Sequence, residues 1–547
     1  MTQIRRLIAW GAAAASLALC SPSYAASGPI VDAPAGQLQG QFQGDLNVFK
    51  GVPYALPPVG TARWTPPQPA AAWPGVRDAS HFGPPCVQPR SRPGSIYADP
   101  LPAMSEDCLS LNIWAPKAAH DAAVMVWIHG GALTTGASSE TMYDGSKLAD
   151  QGIVVVSINY RLGVLGYLAH PGLSAESPSG VSGNYGLLDQ IEALRWVRRN
   201  IAAFGGDPAK VTIAGESAGG LSVMYLMAAP PARGLFSGAI AESAYMISTP
   251  TLKQTRFGEI SAEQNGLNLA AKLHAPDIAA LRAMDAQTLT DAAAASGYLP
   301  FGAVDGKVLP AQLVEVFDKG QQAPVPILAG FNSGEIRSLR FLLPPAPASA
   351  EAYERLVRER YGDLADSFLA LYPSSNIGES LLATTRDAMY GWTAERLARS
   401  QTAIGQHAYL YEFDHGYPAA DDAGLHGFHA SELPYVFGTR DQTPPAWPKP
   451  PVTADETRLS DAMIGYWSSF VRTGAPQAAG EPAWPAFDDH QAYMAFEAGP
   501  QPSQHVLAQA YALHEAVVCR RRAQGDMSWN WNIGLASPPL PPRANCP

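Results

Sequence analysis

Val211-Thr212-Ile213-Ala214-Gly215-Glu216-Ser217-Ala218-Gly219-Gly220 is the stretch on which the reading of this chain turns. A β-branched apolar run enters Gly-Glu-Ser-Ala-Gly and leaves through Leu221-Ser222-Val223-Met224-Tyr225-Leu226-Met227, so the order is strand, one-residue corner, helix. That pattern makes a nucleophile elbow. A serine at such a corner is held in a strained backbone conformation, and small residues at 215 and 219 let strand and helix approach closely around it. Its hydroxyl then stands above a sheet, beside the free N–H groups of the helix start. A bare G-x-S-x-G match also arises by chance in long chains, so its context has to carry the rest.

With 547 residues, 47% hydrophobic and 16% charged, the chain can bury a large core, and one α/β body with insertions accounts for that length as well as several domains would. A net charge of -11 argues against nucleic acid as a partner. Residues 1–26 read as a secretory signal: Arg5 and Arg6 precede an Ala-rich apolar run from Leu7 to Leu19, and small residues offer cleavage near Ala25 or Ala26. A rival reading makes Cys20 a lipid-attachment site, against which stands the bulky Leu19 before it. The apolar run is short for a membrane span, and no other candidate span is found. Setting Cys20 aside leaves Cys86, Cys108, Cys519 and Cys546. In an exported chain these imply two disulfides with three possible connectivities, of which Cys86–Cys108 and Cys519–Cys546 are the sequence-local choice. The histidines are scattered, with no H-E-x-x-H and no Cys/His ligand cluster, so neither a metal nor a cofactor is expected.

Around the elbow the chain alternates. Ala123-Val124-Met125-Val126-Trp127-Ile128 is a buried strand ending in His129-Gly130-Gly131-Ala132, and Ile153 to Ile158 is the next. Leu187, Leu188, Ile191, Leu194 and Ile201 recur near helical spacing until Phe204-Gly205-Gly206-Asp207-Pro208 ends the helix. Ala239 to Ser243 and Val325 to Phe331 read as further strands. The fold class is therefore α/β, a mainly parallel central sheet with helices on both faces. Residues 250–300 are Ala-rich and helical in pattern, part of a lid or outer layer. Residues 27–547 are expected to form one domain with a C-terminal extension from about 519.

Phe49-Lys50-Gly51-Val52-Pro53-Tyr54-Ala55-Leu56-Pro57-Pro58-Val59-Gly60, Arg63-Trp64, Trp73-Pro74-Gly75-Val76 and Ser105-Glu106-Asp107-Cys108-Leu109-Ser110-Leu111-Asn112-Ile113-Trp114 resemble two signatures of the type-B carboxylesterases. That α/β-hydrolase family includes the cholinesterases and the non-enzymatic neuroligins. The resemblance runs, with gaps, from about residue 30 to about residue 488. It implies a Cys86–Cys108 disulfide closing a loop beside an active-site gorge. It also implies an oxyanion hole from the N–H groups of Gly130, Gly131 and Ala218, with His129 positioning that loop. In the α/β-hydrolase order of nucleophile, acid and histidine, Asn332-Ser333-Gly334-Glu335 matches the segment bearing the acid. Glu335 takes that role, although Gly334 and Ile336 depart from the family's usual acidic residue and glycine. Asp305 is the runner-up, better suited to a turn. Gly427-Phe428-His429-Ala430-Ser431-Glu432-Leu433-Pro434-Tyr435-Val436-Phe437-Gly438 resembles the family's histidine motif, which makes His429 the base, His426 a loop residue and Glu432 structural. Ser243 either supports the catalytic group, as in relatives, or simply ends a strand. Between the cysteines the cholinesterases carry a tryptophan that binds quaternary ammonium; this loop has only Tyr97, so the resemblance does not extend to choline esters.

The expected function is a secreted serine carboxylic-ester hydrolase working through an acyl-enzyme on a small-molecule ester. Acyl transfer to another alcohol uses the same chemistry. The competing class is a catalytically silent adhesion or binding module, which would not require Ser217, Glu335 and His429 together. Arg337 and Arg340 beside the acid, with Arg90 and Arg92 in the cysteine loop, read either as a positive gorge wall favouring esters of polycarboxylic acids, as in fumonisin-type esterases, or as solvated surface arginines. The specific ester and the oligomeric state are not legible.

Overall fold

The alternation of side chains along one strand shows how the molecule is built. From Ala122 to Ile128, Val124, Val126 and Ile128 face one core while Met125 and Trp127 face a second, and all five are buried. The first core is covered by the helices Tyr185–Asn200 and Ala218–Ala228 through Leu187, Ile191, Leu194, Leu221 and Val223. The second is covered by Ala454–Thr473 through Leu459, Met463, Trp467 and Phe470. A strand buried on both faces reads as a continuous apolar run, which is why the central strands were visible in the sequence. The structure is a computed structural model, and it describes residues 28–90, 94–527, 529, 534–542 and 546. The signal segment, Cys20 and Arg92 lie outside the described residues.

The main sheet has eleven strands. In chain order they are β1 (Gln41–Gln43), β2 (Leu46–Pro53), β3 (Ser110–Pro116), β4 (Ala122–Ile128), β5 (Val154–Ile158), β6 (Gly206–Glu216), β7 (Gly238–Glu242), β8 (Ile327–Asn332), β9 (Ala408–Phe413), β10 (Ala492–Phe496) and β11 (Pro500–Gln504). Their spatial order is β11-β10-β9-β8-β7-β6-β4-β5-β3-β2-β1. Every pairing from β5 through β4, β6, β7, β8 and β9 to β10 is parallel, and the outer pairings are antiparallel. This is the mainly parallel sheet that the alternation of strands and helices predicts, in the α/β-hydrolase class that the resemblance implies. A three-stranded sheet from Ile30–Ala33, Gly36–Gln39 and Val76–Asp78 sits apart from it.

The helix Tyr185–Asn200 ends earlier than the stop at Phe204-Gly205 read from the sequence, because Ile201–Phe204 tighten into a 3-10 turn before Gly205 with φ of 83°. Residues 250–300 form three helices, Ala262–Lys272, Ile278–Ala283 and Ala286–Ala295, whose first N–H groups are capped by Ser261, Asp277 and Asp285. Leu269, Ile278, Leu281 and Leu289 pack on Val164, Leu165 and Leu168 as an outer layer. Both sequence-local disulfides are formed, with Cα–Cα separations of 5.0 Å for Cys86–Cys108 and 5.8 Å for Cys519–Cys546. The helix Gln509–Gln524 runs through Cys519 and seats Leu513 and Val517 against Tyr353, Val357 and Phe368.

A close backbone approach lies under the elbow. A Cβ on Gly219 would stand 2.0 Å from the Ile128 carbonyl oxygen, and one on Gly215 would stand 2.6 Å from the Gly219 carbonyl carbon. No flexible side chain is there to yield. Gly219→Ala is therefore expected to cost roughly 1–3 kcal/mol in urea unfolding. At Gly378, inside the helix Ile377–Arg386, the nearest atom to an added Cβ is Asn376 Oδ1 at 3.9 Å. Gly378→Ala should be neutral or gain about 0.5–1 kcal/mol.

Candidate active site

Ser217 follows directly on β6 and precedes the helix Ala218–Ala228, with φ of 56° and ψ of -119°. That region is costly for a residue with a side chain, so the corner persists only because its surroundings hold it. The Ser217 N–H donates to the Glu242 carbonyl at 2.9 Å, and the Ser217 carbonyl accepts the Leu221 N–H at 2.9 Å. Ser217 is 9% exposed.

From the Ser217 hydroxyl runs a line of hydrogen bonds. Its Oγ is 2.9 Å from His429 Nε2, and His429 Nδ1 is 2.5 Å from Glu335 Oε2. A carboxylate only accepts, so Nδ1 carries the proton and Nε2 presents its lone pair to the serine hydroxyl. Glu335 is fully buried and is fixed from behind by the Asn332 N–H, which donates to its Oε1 at 2.9 Å. The Asn332 amide donates to the Phe428 carbonyl at 2.8 Å and to Glu432. The Gly334 N–H donates to the Gly427 carbonyl at 2.8 Å. The end of β8 is thus tied to the loop that carries His429. This also explains a departure noted in the sequence: a Cβ on Gly334 would lie 2.7 Å from the Leu425 carbonyl oxygen and 2.9 Å from that of Gly427. The histidine loop fills the space that a side chain at 334 would need.

Facing the serine is the loop after β4. An added Cβ on Gly130 would stand 2.9 Å from the Glu216 carbonyl oxygen and 3.3 Å from Ser217 Cβ, and Gly131 has φ of 98°. Among the described residues the N–H groups of Gly130 and Gly131 donate to no acceptor, and Ala218, first in its helix, has no intrahelical acceptor. The arrangement leaves free donors beside a hydroxyl that is itself bonded to a neutral imidazole. His129 is stacked on Tyr160 at 4.5 Å, its Nδ1 is 2.9 Å from the Gly130 carbonyl, and burial pushes it down to about 4. It is neutral and braces the loop.

Other residues singled out in the sequence lie elsewhere or act differently. Asp305 caps a turn by accepting the N–H groups of Lys307, Val308 and Leu309. His426 is half-exposed between Asp414 and Asp421, at 3.0 and 2.8 Å. The Ser243 hydroxyl is buried without a partner, so it lends no hydrogen bond to the site. Arg337 pairs with Glu379 at 2.7 Å, while Arg340 and Arg90 are exposed. Among the described residues no group of three His, Cys, Asp or Glu side chains could hold a metal ion, and no helix is long and apolar enough to cross a membrane.

Three features went unread. Glu216 Oε1 lies 3.1 Å from His429 Nε2, and burial, then Glu335 and Glu242, push its carboxyl well above the usual range. The Tyr390 ring packs 5.2 Å from that of His429, on a wide turn over Asp387–Gly391 that helical periodicity does not encode. The backbone and amide of Asn332 position both Glu335 and the histidine loop. Only its place directly after a strand could have signalled that.

Fold and site together define an α/β-hydrolase carrying a serine–histidine–glutamate line at the ends of its central strands. The chain belongs to the carboxylesterase family, whose profile matches residues 27–514. It is 37% identical over 479 residues to a fumonisin B1 esterase of Sphingopyxis macrogoltabida, covering 84% of this chain and 85% of that protein. It is 37% identical over 472 residues to the para-nitrobenzyl esterase of Bacillus subtilis (strain 168), covering 84% and 93%. A solved PNB esterase structure superposes with a TM-score of 0.77 at 34% identity, covering 88% of this chain and 99% of that one. The protein is a carboxylic-ester hydrolase, and nothing in these likenesses supports a silent adhesion module.

Burial raises Glu242 to about 8 although Trp467 donates to it at 2.8 Å. A carboxyl raised in the folded state holds its proton after the unfolded chain has lost its own. Stability therefore falls as pH rises from the unfolded value near 4.5 toward 8, by at most about 1.4 kcal/mol per unit. Glu242→Gln keeps the acceptor for Trp467 and removes the titration. Its melting temperature should match the parent at pH 5 and exceed it at pH 8.

Proposed function

We propose that this esterase works through an acyl-enzyme formed on Ser217 and is exported. The observation that carries the mechanism is the unbroken line from Ser217 Oγ through His429 to Glu335. His429 Nε2 takes the hydroxyl proton as Oγ attacks the ester carbonyl, and the imidazolium returns that proton to the departing alcohol. Glu335 holds the Nδ1 proton and balances the transient cation. The negative oxygen of the tetrahedral intermediate is received by the N–H groups of Gly130, Gly131 and Ala218. Water then gives its proton to Nε2 as its oxygen attacks the acyl carbon, and the imidazolium returns that proton to Ser217 Oγ as the bond to the acyl group breaks and the acid leaves. An alcohol in place of that water would give acyl transfer, and the product ratio with added alcohol measures its share. Two disulfides and the apolar leader read from residues 1–26 support export.

On a panel of chromogenic esters, neutral short-chain, neutral long-chain and carboxylate-bearing, Ser217→Ala is expected to lose on the order of 10⁶ in kcat. Glu335→Gln should lose about 10⁴, because the amide favours the wrong imidazole tautomer. Parental turnover in Ser217→Ala would remove the mechanism.

A preference for esters of polycarboxylic acids is the narrower reading. Exposed Arg340 and the relative named fumonisin B1 esterase favour it. Arg337 does not, because Glu379 already neutralises its guanidinium. Arg340→Glu should lower kcat/KM for the carboxylate-bearing ester several-fold and leave the neutral esters unchanged. An unaltered ratio between the two would dispose of this preference.

A further inference from the structure

The disulfide loop Cys86–Cys108 reaches two separate parts of the site. Gln88 is 2% exposed and clamps one backbone unit: its Nε2 donates to the Gly136 carbonyl at 2.9 Å, and the Gly136 N–H donates to its Oε1 at 2.9 Å. Gly136 directly follows the turn in which the Thr134 and Thr135 N–H groups donate to the Gly131 carbonyl. An added Cβ on Gly136 would lie 2.3 Å from His129 Nδ1. The Gln88 pair therefore fixes the stretch that presents the free N–H groups.

Tyr97, further along the loop, grips the other side. Its hydroxyl hydrogen-bonds Ser338 Oγ at 2.7 Å and donates to the His429 carbonyl at 3.0 Å. Ser338 ends the short helix Glu335–Ser338. One phenol oxygen thus joins the segment bearing the acid to the backbone of the histidine. The Tyr97 ring stands edge-on to His429 at 6.4 Å and to Trp447 at 5.8 Å, and Trp447 in turn packs on Phe428 at 4.8 Å. Edge-on aromatic contacts of this kind hold a ring in one orientation. The partners of Tyr97 are 241 and 332 residues away in sequence, so no local element could supply this register.

We infer that the Cys86–Cys108 loop is a positioning clamp for the reaction, with Gln88 setting the N–H groups that receive the oxyanion and Tyr97 setting His429 against Ser217 and Glu335. This rests on the acyl-enzyme reading above. Neither residue hydrogen-bonds a reacting atom: Gln88 acts through the backbone it holds, and Tyr97 through the His429 carbonyl and the edge-on contact with its ring. Small displacements of positioned groups reduce turnover more than binding, by up to about 100-fold per ångström.

The test compares the mature chain with Tyr97→Phe, Gln88→Leu, their double variant and Ser217→Ala on a neutral short-chain p-nitrophenyl ester. The rate of Ser217 labelling by a fluorophosphonate is followed in parallel. Tyr97→Phe removes a single oxygen and keeps the ring, so it is the variant safest for the fold. Each single change is expected to lower kcat about 10-fold with KM within about twofold, and the double about 100-fold, since the two side chains hold different groups. Labelling should slow in the same ratios. A parental kcat in Tyr97→Phe while Ser217→Ala is inactive would overturn the clamp and leave the acyl-enzyme reading standing. A rise in KM alone would make Tyr97 a substrate contact and overturn it as well. Turnover by Ser217→Ala would remove both.

Discussion

The strained backbone of Ser217 is the constraint on which the rest of the site depends. A positive φ on a residue with a side chain costs on the order of 1–3 kcal/mol, so the neighbours must over-determine it. They do so from three directions. The end of β4 presses its Ile128 carbonyl against Gly219, the end of β7 supplies the Glu242 carbonyl to the Ser217 N–H, and the following helix takes the Ser217 carbonyl into its first turn. Each of these elements is anchored in a buried core, so the hydroxyl is presented without freedom to relax. The glycines at 215 and 219 are therefore needed where backbone meets backbone.

Around the strained corner the site keeps its charge confined. Glu216, Glu242 and Glu432 are buried within the same region, and burial pushes all three above the ordinary carboxylate range. Glu335 differs in what faces it: the Asn332 N–H and His429 Nδ1 both donate to its oxygens. Glu216 Oε1 stands 3.1 Å from Nε2 without forming a hydrogen bond, so the hydrogen bond that Nε2 makes is the one to the Ser217 hydroxyl. Four acidic side chains thus share one low-dielectric region, and Glu335 is the one that the Asn332 N–H and His429 face.

How much of this was legible in the sequence follows from which features are local. The elbow, the buried strands and the chain's break from helical structure at Gly205 are encoded by neighbouring residues, through apolar runs, glycine and spacing. His429 and Glu335 were found through motif resemblance, because nothing in their own spacing, 94 residues apart, says that they meet. Tyr390 was missed because a wide helical turn has no period of its own to read. Arg337 was read as a free charge, since its partner Glu379 lies 42 residues on, across a helix junction. Ser243 was read either as a supporting donor or as a plain strand-end serine, and its hydroxyl is buried and unpartnered, at a strained φ of 43°.

The two kinds of information divide the molecule in a way that bears on substrate choice. Residues that local sequence encodes build the sheet and the corner, the frame on which any α/β-hydrolase displays a nucleophile. Residues whose contacts only the tertiary structure reveals, among them Gln88, Tyr97, Tyr390 and the paired Arg337, lie on loops, a wide turn and a short helix. Loops on a rigid scaffold vary at little cost to stability, so differences in ester preference within the family belong there. In this chain one such loop is closed by a disulfide and bonded to both the oxyanion side and the histidine side. On the clamp proposed above, a change in it that alters what enters the site also alters how well the site is assembled, which couples selectivity to turnover through the same segment.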